Sequence, residues 1–153
     1  MATRLYREYK FKFYLNANHY IIINGKNGQT HPHTWEFVFY IMKSEGELVL
    51  FNKFEKAIEE YLEKFQGRVM NEIPPFDTMV PTLENISDYF CDEIRSIITK
   101  LGGELAFMES SETPTRSYII DLRDGLDFKE NMSKLTEKQV DEVMENIIDN
   151  ILE

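Results

Sequence analysis

Apolar and polar residues alternate early in the chain. In "REYKFKFYLNANHYIIIN", Tyr9, Phe11, Phe13 and Leu15 fall on one face, and Lys10, Lys12 and Asn16 on the other. A period of two marks a strand with one buried face. "NGKNGQ" follows, and its glycines and asparagines tolerate positive φ, so it reads as a loop. "HTWEFVFYIMKS", rich in aromatic and β-branched residues, reads as a second strand. Together they predict a long antiparallel hairpin.

The period then changes. In "LFNKFEKAIEEYLEKF", Phe51, Phe54, Ile58, Tyr61, Leu62 and Phe65 recur at three- and four-residue steps, which predicts an amphipathic helix. "GRVMNEIPPFDTMV" is a connector broken by Pro-Pro. "PTLENISDYFCDEIRSIITKLGG" predicts a second helix with Thr82 as N-cap, Glu84 at the positive end of the dipole and Gly102 or Gly103 as the stop. "GELAFMESS" and "TRSYIIDL" read as two further strands. In "TEKQVDEVMENIIDNILE", Val140, Val143, Ile147, Ile148 and Ile151 predict a third amphipathic helix. The order ββααββ predicts an α+β fold: a four-stranded antiparallel sheet with two helices on one face, plus a C-terminal helix. No repeat or low-complexity tract divides the chain. The expected organisation is a main body over 1–125, with 126–153 as an extension of the same domain.

Composition narrows the function. The chain has 153 residues, 42% of them hydrophobic and 13% aromatic, which is the make-up of one globular domain. The net charge of −10 argues against nucleic acid, whose phosphates need basic partners, and against an anionic membrane surface. Cys91 stands alone, so no internal disulfide is expected and a reduced, cytoplasmic setting is the default. "MATRLYREYK" lacks the apolar core of a secretory signal, and no apolar run approaches the ~20 residues of a membrane span.

The chain has three histidines, and His19, His31 and His33 crowd one short window. Alternate residues of a strand point the same way, so His31 and His33 present both imidazoles on one face. His19 falls near the end of the first strand, across the hairpin. Three converging imidazoles with a fourth position left open is a zinc arrangement of the catalytic type. Ordinary strand and loop histidines fit the H-x-H spacing too, and the spacing alone does not decide between them.

Taken in order, "FYLNANHYI", "HPHTWEF", "NEIPPFDTMVPTLENIS" and "MESSETPTRSYII" resemble the 6-pyruvoyl-tetrahydropterin synthase / 6-carboxytetrahydropterin synthase family, the latter an enzyme of the queuosine pathway. The resemblance runs from about Tyr9 to Asp121. It implies the tunnelling fold (T-fold), whose ββααββ order agrees with the order reached from periodicity. It implies that His19, His31 and His33 are zinc ligands. It matches Glu112 to the glutamate that anchors the pterin's guanidine-like edge, where a carboxylate accepts paired charge-assisted hydrogen bonds. Glu109 is a second candidate, because the "ESSE" spacing admits either. Thr82 matches a threonine that a neighbouring subunit places near the pterin. The resemblance further implies a homo-oligomer joined edge to edge, typically a hexamer of two trimers. The implied substrate is a dihydropterin such as dihydroneopterin triphosphate.

The departures from the family pattern are specific. Asn27 stands where the family has its catalytic cysteine, and Gln66 and Gly67 stand where it has an Asp-His pair. Pro32 replaces the glycine between two ligands, and Leu50 replaces an aspartate. Thiolate, imidazole and carboxylate would move protons; asparagine, glutamine and glycine do not titrate near neutral pH. Glu36, Glu72 or Glu109 are candidate substitute bases. Two readings follow: a zinc-dependent pterin enzyme, or a catalytically silent homologue that binds a pterin or purine-like ligand. Cys91 is expected to be a packed helical residue and Trp35 a core residue.

Overall fold

A computed structural model describes residues 7–43 and 51–123. The chain begins with β1 (Tyr9–His19), followed by a two-residue pair, β2 (Ile22–Ile23) and β3 (Lys26–Asn27). Next come β4 (His31–Lys43), α1 (Phe51–Glu63), a single 3-10 turn at Met70–Glu72, α2 (Leu83–Lys100), β5 (Gly103–Thr113) and β6 (Arg116–Asp121). The four long strands form one antiparallel sheet in the order β1-β4-β5-β6. This is the predicted architecture. The expected C-terminal helix within 126–153 lies outside the described residues, as does Leu50. Among the described residues no helix is long and apolar enough to cross a membrane.

The alternation read from the sequence sets the core face. Phe11, Phe13, Leu15 and Ala17 of β1 are buried, as are Trp35, Phe37, Phe39 and Ile41 of β4. They lie opposite one another in register: Phe11 with Phe39, Phe13 with Phe37, Leu15 with Trp35 and Ala17 with His33. Phe54, Ile58, Tyr61 and Leu62 of α1 and Ile86, Phe90, Ile94 and Ile98 of α2 cover that face. Phe37 meets Phe90 edge-on with centroids 5.3 Å apart, inside the range of about 4.5–7 Å favoured by aromatic pairs. Thr82 caps α2 by accepting a hydrogen bond from the Asn85 N–H at 3.1 Å. Gly102, at φ +85°, supplies the left-handed residue that ends the helix.

Three details position the site. The segment read as a loop holds the turn and second strand of the β2–β3 hairpin, and β2 falls at the end of the stretch read as the first strand. Asn24 and Gly25 both take positive φ (53° and 76°), the requirement of a type I′ turn. Then, β5 carries an extra residue: Ile41 pairs with Leu105 but Tyr40 with Phe107, so Ala106 forms a bulge. Beyond it, Met108, Ser110 and Glu112 share the core side. Finally, the outer edge of β1 is closed by amide groups. Gln66 accepts from the Asn16 N–H and donates to the Tyr14 carbonyl, both at 2.9 Å. Gly67 N–H donates to Asn16 O, and Asn18 N–H to Arg68 O. Asn71 accepts from Tyr20 N–H and donates to Tyr20 O, again at 2.9 Å. An edge strand's exposed backbone groups are thereby paired through Tyr20, next to His19.

Candidate metal centre

The histidines sit where the core face runs out, at the end of β1 and the start of β4. His19 and His31 are direct cross-strand partners, and His33 faces the same way two residues on. Ring centroids are 4.5 Å (His19–His31), 4.9 Å (His19–His33) and 4.7 Å (His31–His33) apart, an almost equilateral triangle. One ligating nitrogen from each ring lies within 4.8 Å of the others.

Backbone carbonyls fix two of the tautomers. His19 Nδ1 lies 2.8 Å from Pro81 O, and His31 Nδ1 lies 2.9 Å from Gln29 O. A carbonyl only accepts, so each Nδ1 carries the hydrogen and each neutral ring turns its Nε2 lone pair inward. Those two Nε2 atoms are 2.9 Å apart. Two lone pairs at that distance repel unless a cation or a proton lies between them. A proton links only two nitrogens, and His33 closes the third side, so the donor set fits a metal ion. Nitrogens at ~2.0–2.1 Å from a tetrahedral ion lie ~3.3–3.4 Å apart, so binding asks for an opening of a few tenths of an ångström. Burial pushes His19 below the ordinary histidine value, against smaller raising effects of the Pro81 carbonyl and Glu112, so it stays the neutral donor that a metal needs.

The histidines line a cavity of about 380 Å³ together with Thr82, Leu83, Glu84 and Glu112. Glu112 Oε1 is 3.9 Å from His19 Nε2 and accepts a 3.4 Å hydrogen bond from the Trp35 indole. Trp35 is fully buried, as expected, and braces His19 edge-on and His33 at a tilt. Thr82 lines this cavity. The Pro81 carbonyl, hydrogen-bonded to His19, brings the start of α2 there.

The other candidates lie elsewhere. Glu109 is out of phase with Glu112, pairs with Val38 and lines a second cavity of about 340 Å³ with Glu36, which Glu112 also borders. Glu36 is also 3.4 Å from Lys12. Glu72 is exposed on the 3-10 turn. Asn27 is exposed in β3, opposite Ile22. Gln66 has both amide atoms engaged on β1, and Gly67 holds φ +71°. None of these lines the histidine cavity. Cys91 is buried in α2, and desolvation pushes its thiol up to about 11, so it is no nucleophile. Sequence reasoning missed Arg116, Ser117 and Tyr118, which line the cavity from β6. Only the strand's alternation placed side chains there, and nothing marked them as chemical.

Known proteins bear on this arrangement. No curated protein matches the chain. A 6-pyruvoyl tetrahydropterin synthase from Caenorhabditis elegans superposes with a TM-score of 0.63 at 16% identity, covering 75% of this chain and 94% of that one. The Plasmodium falciparum 6-pyruvoyl tetrahydropterin synthase gives 0.54 at 15% identity, covering 74% and 96%. An uncharacterized protein from Wolinella succinogenes gives 0.52 at 12% identity, covering 76% and 99%. At such identities the likeness is one of fold. The family model for 6-pyruvoyl tetrahydropterin synthase matches residues 8–123, most of the chain, so the chain belongs to the 6-pyruvoyl tetrahydropterin synthase family.

Proposed function

We propose that the chain is a zinc-dependent enzyme of the 6-pyruvoyl/6-carboxytetrahydropterin synthase type, acting on dihydroneopterin triphosphate or a related dihydropterin. Family membership supports a pterin-related, synthase-type function. The observation that carries the finer reading is the inward-facing nitrogen set, with two Nε2 atoms 2.9 Å apart and a third imidazole beside them. His19, His31 and His33 would hold the ion. Bound there, zinc supplies a Lewis acid that polarises substrate oxygens and eases loss of protons from neighbouring carbons.

The chain's own groups do the rest. Glu112, on the histidine side of the sheet and steadied by the indole, accepts the paired N–H donors of the pterin edge. Thr82 and the start of α2 form the wall beside it. Burial of the His19 side keeps its imidazole neutral and limits competing water. The assembly in this reading is a homo-oligomer, probed by light scattering against the mass of one chain. Zinc-loaded protein incubated with dihydroneopterin triphosphate should consume it and release a side-chain-modified pterin. An inert substrate at high enzyme concentration sinks the enzymatic reading.

A second reading has its own observation. Gln66 is spent on β1's edge, Gly67 has no side chain, and Asn27 is exposed in β3. A silent homologue that binds a pterin or purine-like ligand fits those positions. Ligand binding without turnover selects it.

A further inference from the structure

The cavity needs a group that moves protons, and the positions that do so in the family are filled here by Asn27, Gln66 and Gly67. Apart from the histidines, its titratable lining groups are Glu84, Glu112, Arg116 and Tyr118. Arginine does not give up its proton. Glu112 faces the indole and is assigned to holding the ligand. No hydrogen bond orients Glu84 among the described residues. Tyr118 differs from all of these: its hydroxyl donates to Asp88 Oδ1 at 2.9 Å. Asp88 stands behind it on α2, one turn beyond Glu84. A tyrosine that lines the cavity and hands its hydroxyl hydrogen to a carboxylate is the arrangement of a proton-transfer pair.

We propose that Tyr118 is a catalytic residue of this cavity and that Asp88 is its proton partner, together standing in for the missing thiol and imidazole. The proposal rests on the enzymatic reading above. In the step, a proton leaves the side-chain carbon next to the dihydropterin ring for Tyr118 Oη. The phenol's own proton passes to Asp88 Oδ1. The C–H electron pair becomes a C=C bond to the ring carbon, and the C=N π pair moves onto the ring nitrogen, which takes a proton from water. In the return step the hydroxyl on that side-chain carbon loses its proton to water as its O–H pair forms C=O. The C=C pair takes a proton at the ring carbon from Tyr118 Oη, and Asp88 gives its proton back to the phenol. One C–H bond breaks and one forms, the side-chain carbon is oxidised as the ring C=N is reduced, and no external oxidant or reductant is required. The hydrogen bond to Asp88 raises the phenol above its ordinary value, so Tyr118 is a neutral donor at rest and accepts a proton only in concert with Asp88. The neighbouring Glu84 carboxylate acts in the same direction.

The test compares zinc-loaded wild type, Tyr118→Phe and Asp88→Asn for turnover of dihydroneopterin triphosphate, affinity for it, zinc content and melting temperature. Expected is a loss of kcat of about 10²-fold or more in both variants, the range of general acid–base catalysis, with affinity and zinc unchanged. Solvent deuterium should enter the product at that ring carbon with wild type and fade with both variants. Asp88→Asn, which keeps the shape of the side chain, guards against a Tyr118 variant that fails to fold. Wild-type kcat in Tyr118→Phe overturns the relay and leaves the function standing. So does a loss that only tracks zinc or ligand affinity. Ligand binding by wild type without any turnover overturns relay and enzyme together.

Discussion

Asn71 offers a direct measure of how the fold supports the metal centre. Its side chain is 7% exposed and grips both backbone groups of Tyr20, accepting from the N–H and donating to the carbonyl, each at 2.9 Å. Tyr20 follows His19. In Asn71→Ala both grips are lost and two half-buried backbone groups lack partners. Each hydrogen bond contributes about 0.5–1.5 kcal/mol net, and a fully buried orphan costs ~1–3 kcal/mol. Water reaches part of Tyr20, so the expected loss is about 2–3 kcal/mol. At ~3–5 °C per kcal/mol for a domain of this size, the melting temperature should fall by about 6–15 °C. Asn71→Asp sharpens the test. It keeps an acceptor for the N–H but sets a carboxylate oxygen against the Tyr20 carbonyl. Protonation restores a donor, so this variant's folded carboxyl titrates above its unfolded value, and its deficit against wild type should shrink as pH falls through that range. Melts of metal-free protein followed by circular dichroism across a pH series read both effects. An Asn71→Ala melt within about 2 °C of wild type, or a pH-independent Asn71→Asp deficit, would refute the reasoning.

Four further outcomes are expected. Wild type should carry about one zinc per chain by elemental analysis and His31→Ala essentially none, with the fold intact; equal zinc in both would refute the three-histidine site. His19 is held below its ordinary value, so at acid pH the unfolded chain binds a proton that the fold refuses. Stability of the metal-free protein should therefore decline as pH drops from ~6.5 toward the folded value, and urea midpoints unchanged there would contradict it. Cys91, raised to about 11 by burial, should resist thiol reagents in the native state and react on unfolding; rapid native labelling would count against its packing. Gln66→Asp with Gly67→His should destabilise without gain of turnover, since β1 loses its amide clip and a side chain at φ +71° costs ~1–2 kcal/mol; a stable, more active variant would show that the segment is free to serve catalysis.

What was legible in the chain was whatever has a period. The faces of β1 and β4, the apolar stripes of both helices and the shared direction of His31 and His33 all follow from alternation or three- and four-residue steps, and register then brings His19 to His31. The choice between Glu109 and Glu112 was not legible. Counting by twos from Leu105 turns Glu109 inward, and only the extra residue Ala106 reverses that count. Gln66 and Asn71 were opaque for a related reason: an amide that imitates a peptide group on a strand edge some fifty residues away leaves no local pattern. The Tyr118–Asp88 pair joins β6 to α2 across thirty residues and was equally hidden.

The bulge at Ala106 also bears on how this strand can change length. Between the pairs Ile41–Leu105 and Phe37–Ser110, β5 carries one residue more than β4. That surplus is slack. Removing Ala106 would leave a regular ladder with Phe107 still opposite Tyr40 and every later side chain on its present face. A single deletion in the middle of a core strand, normally ruinous because it flips each following residue, would here leave Glu112 beside the histidines. An alignment that confines its gaps to loops would then set that glutamate one position out. Where a relative lacks this residue, the gap belongs inside the strand.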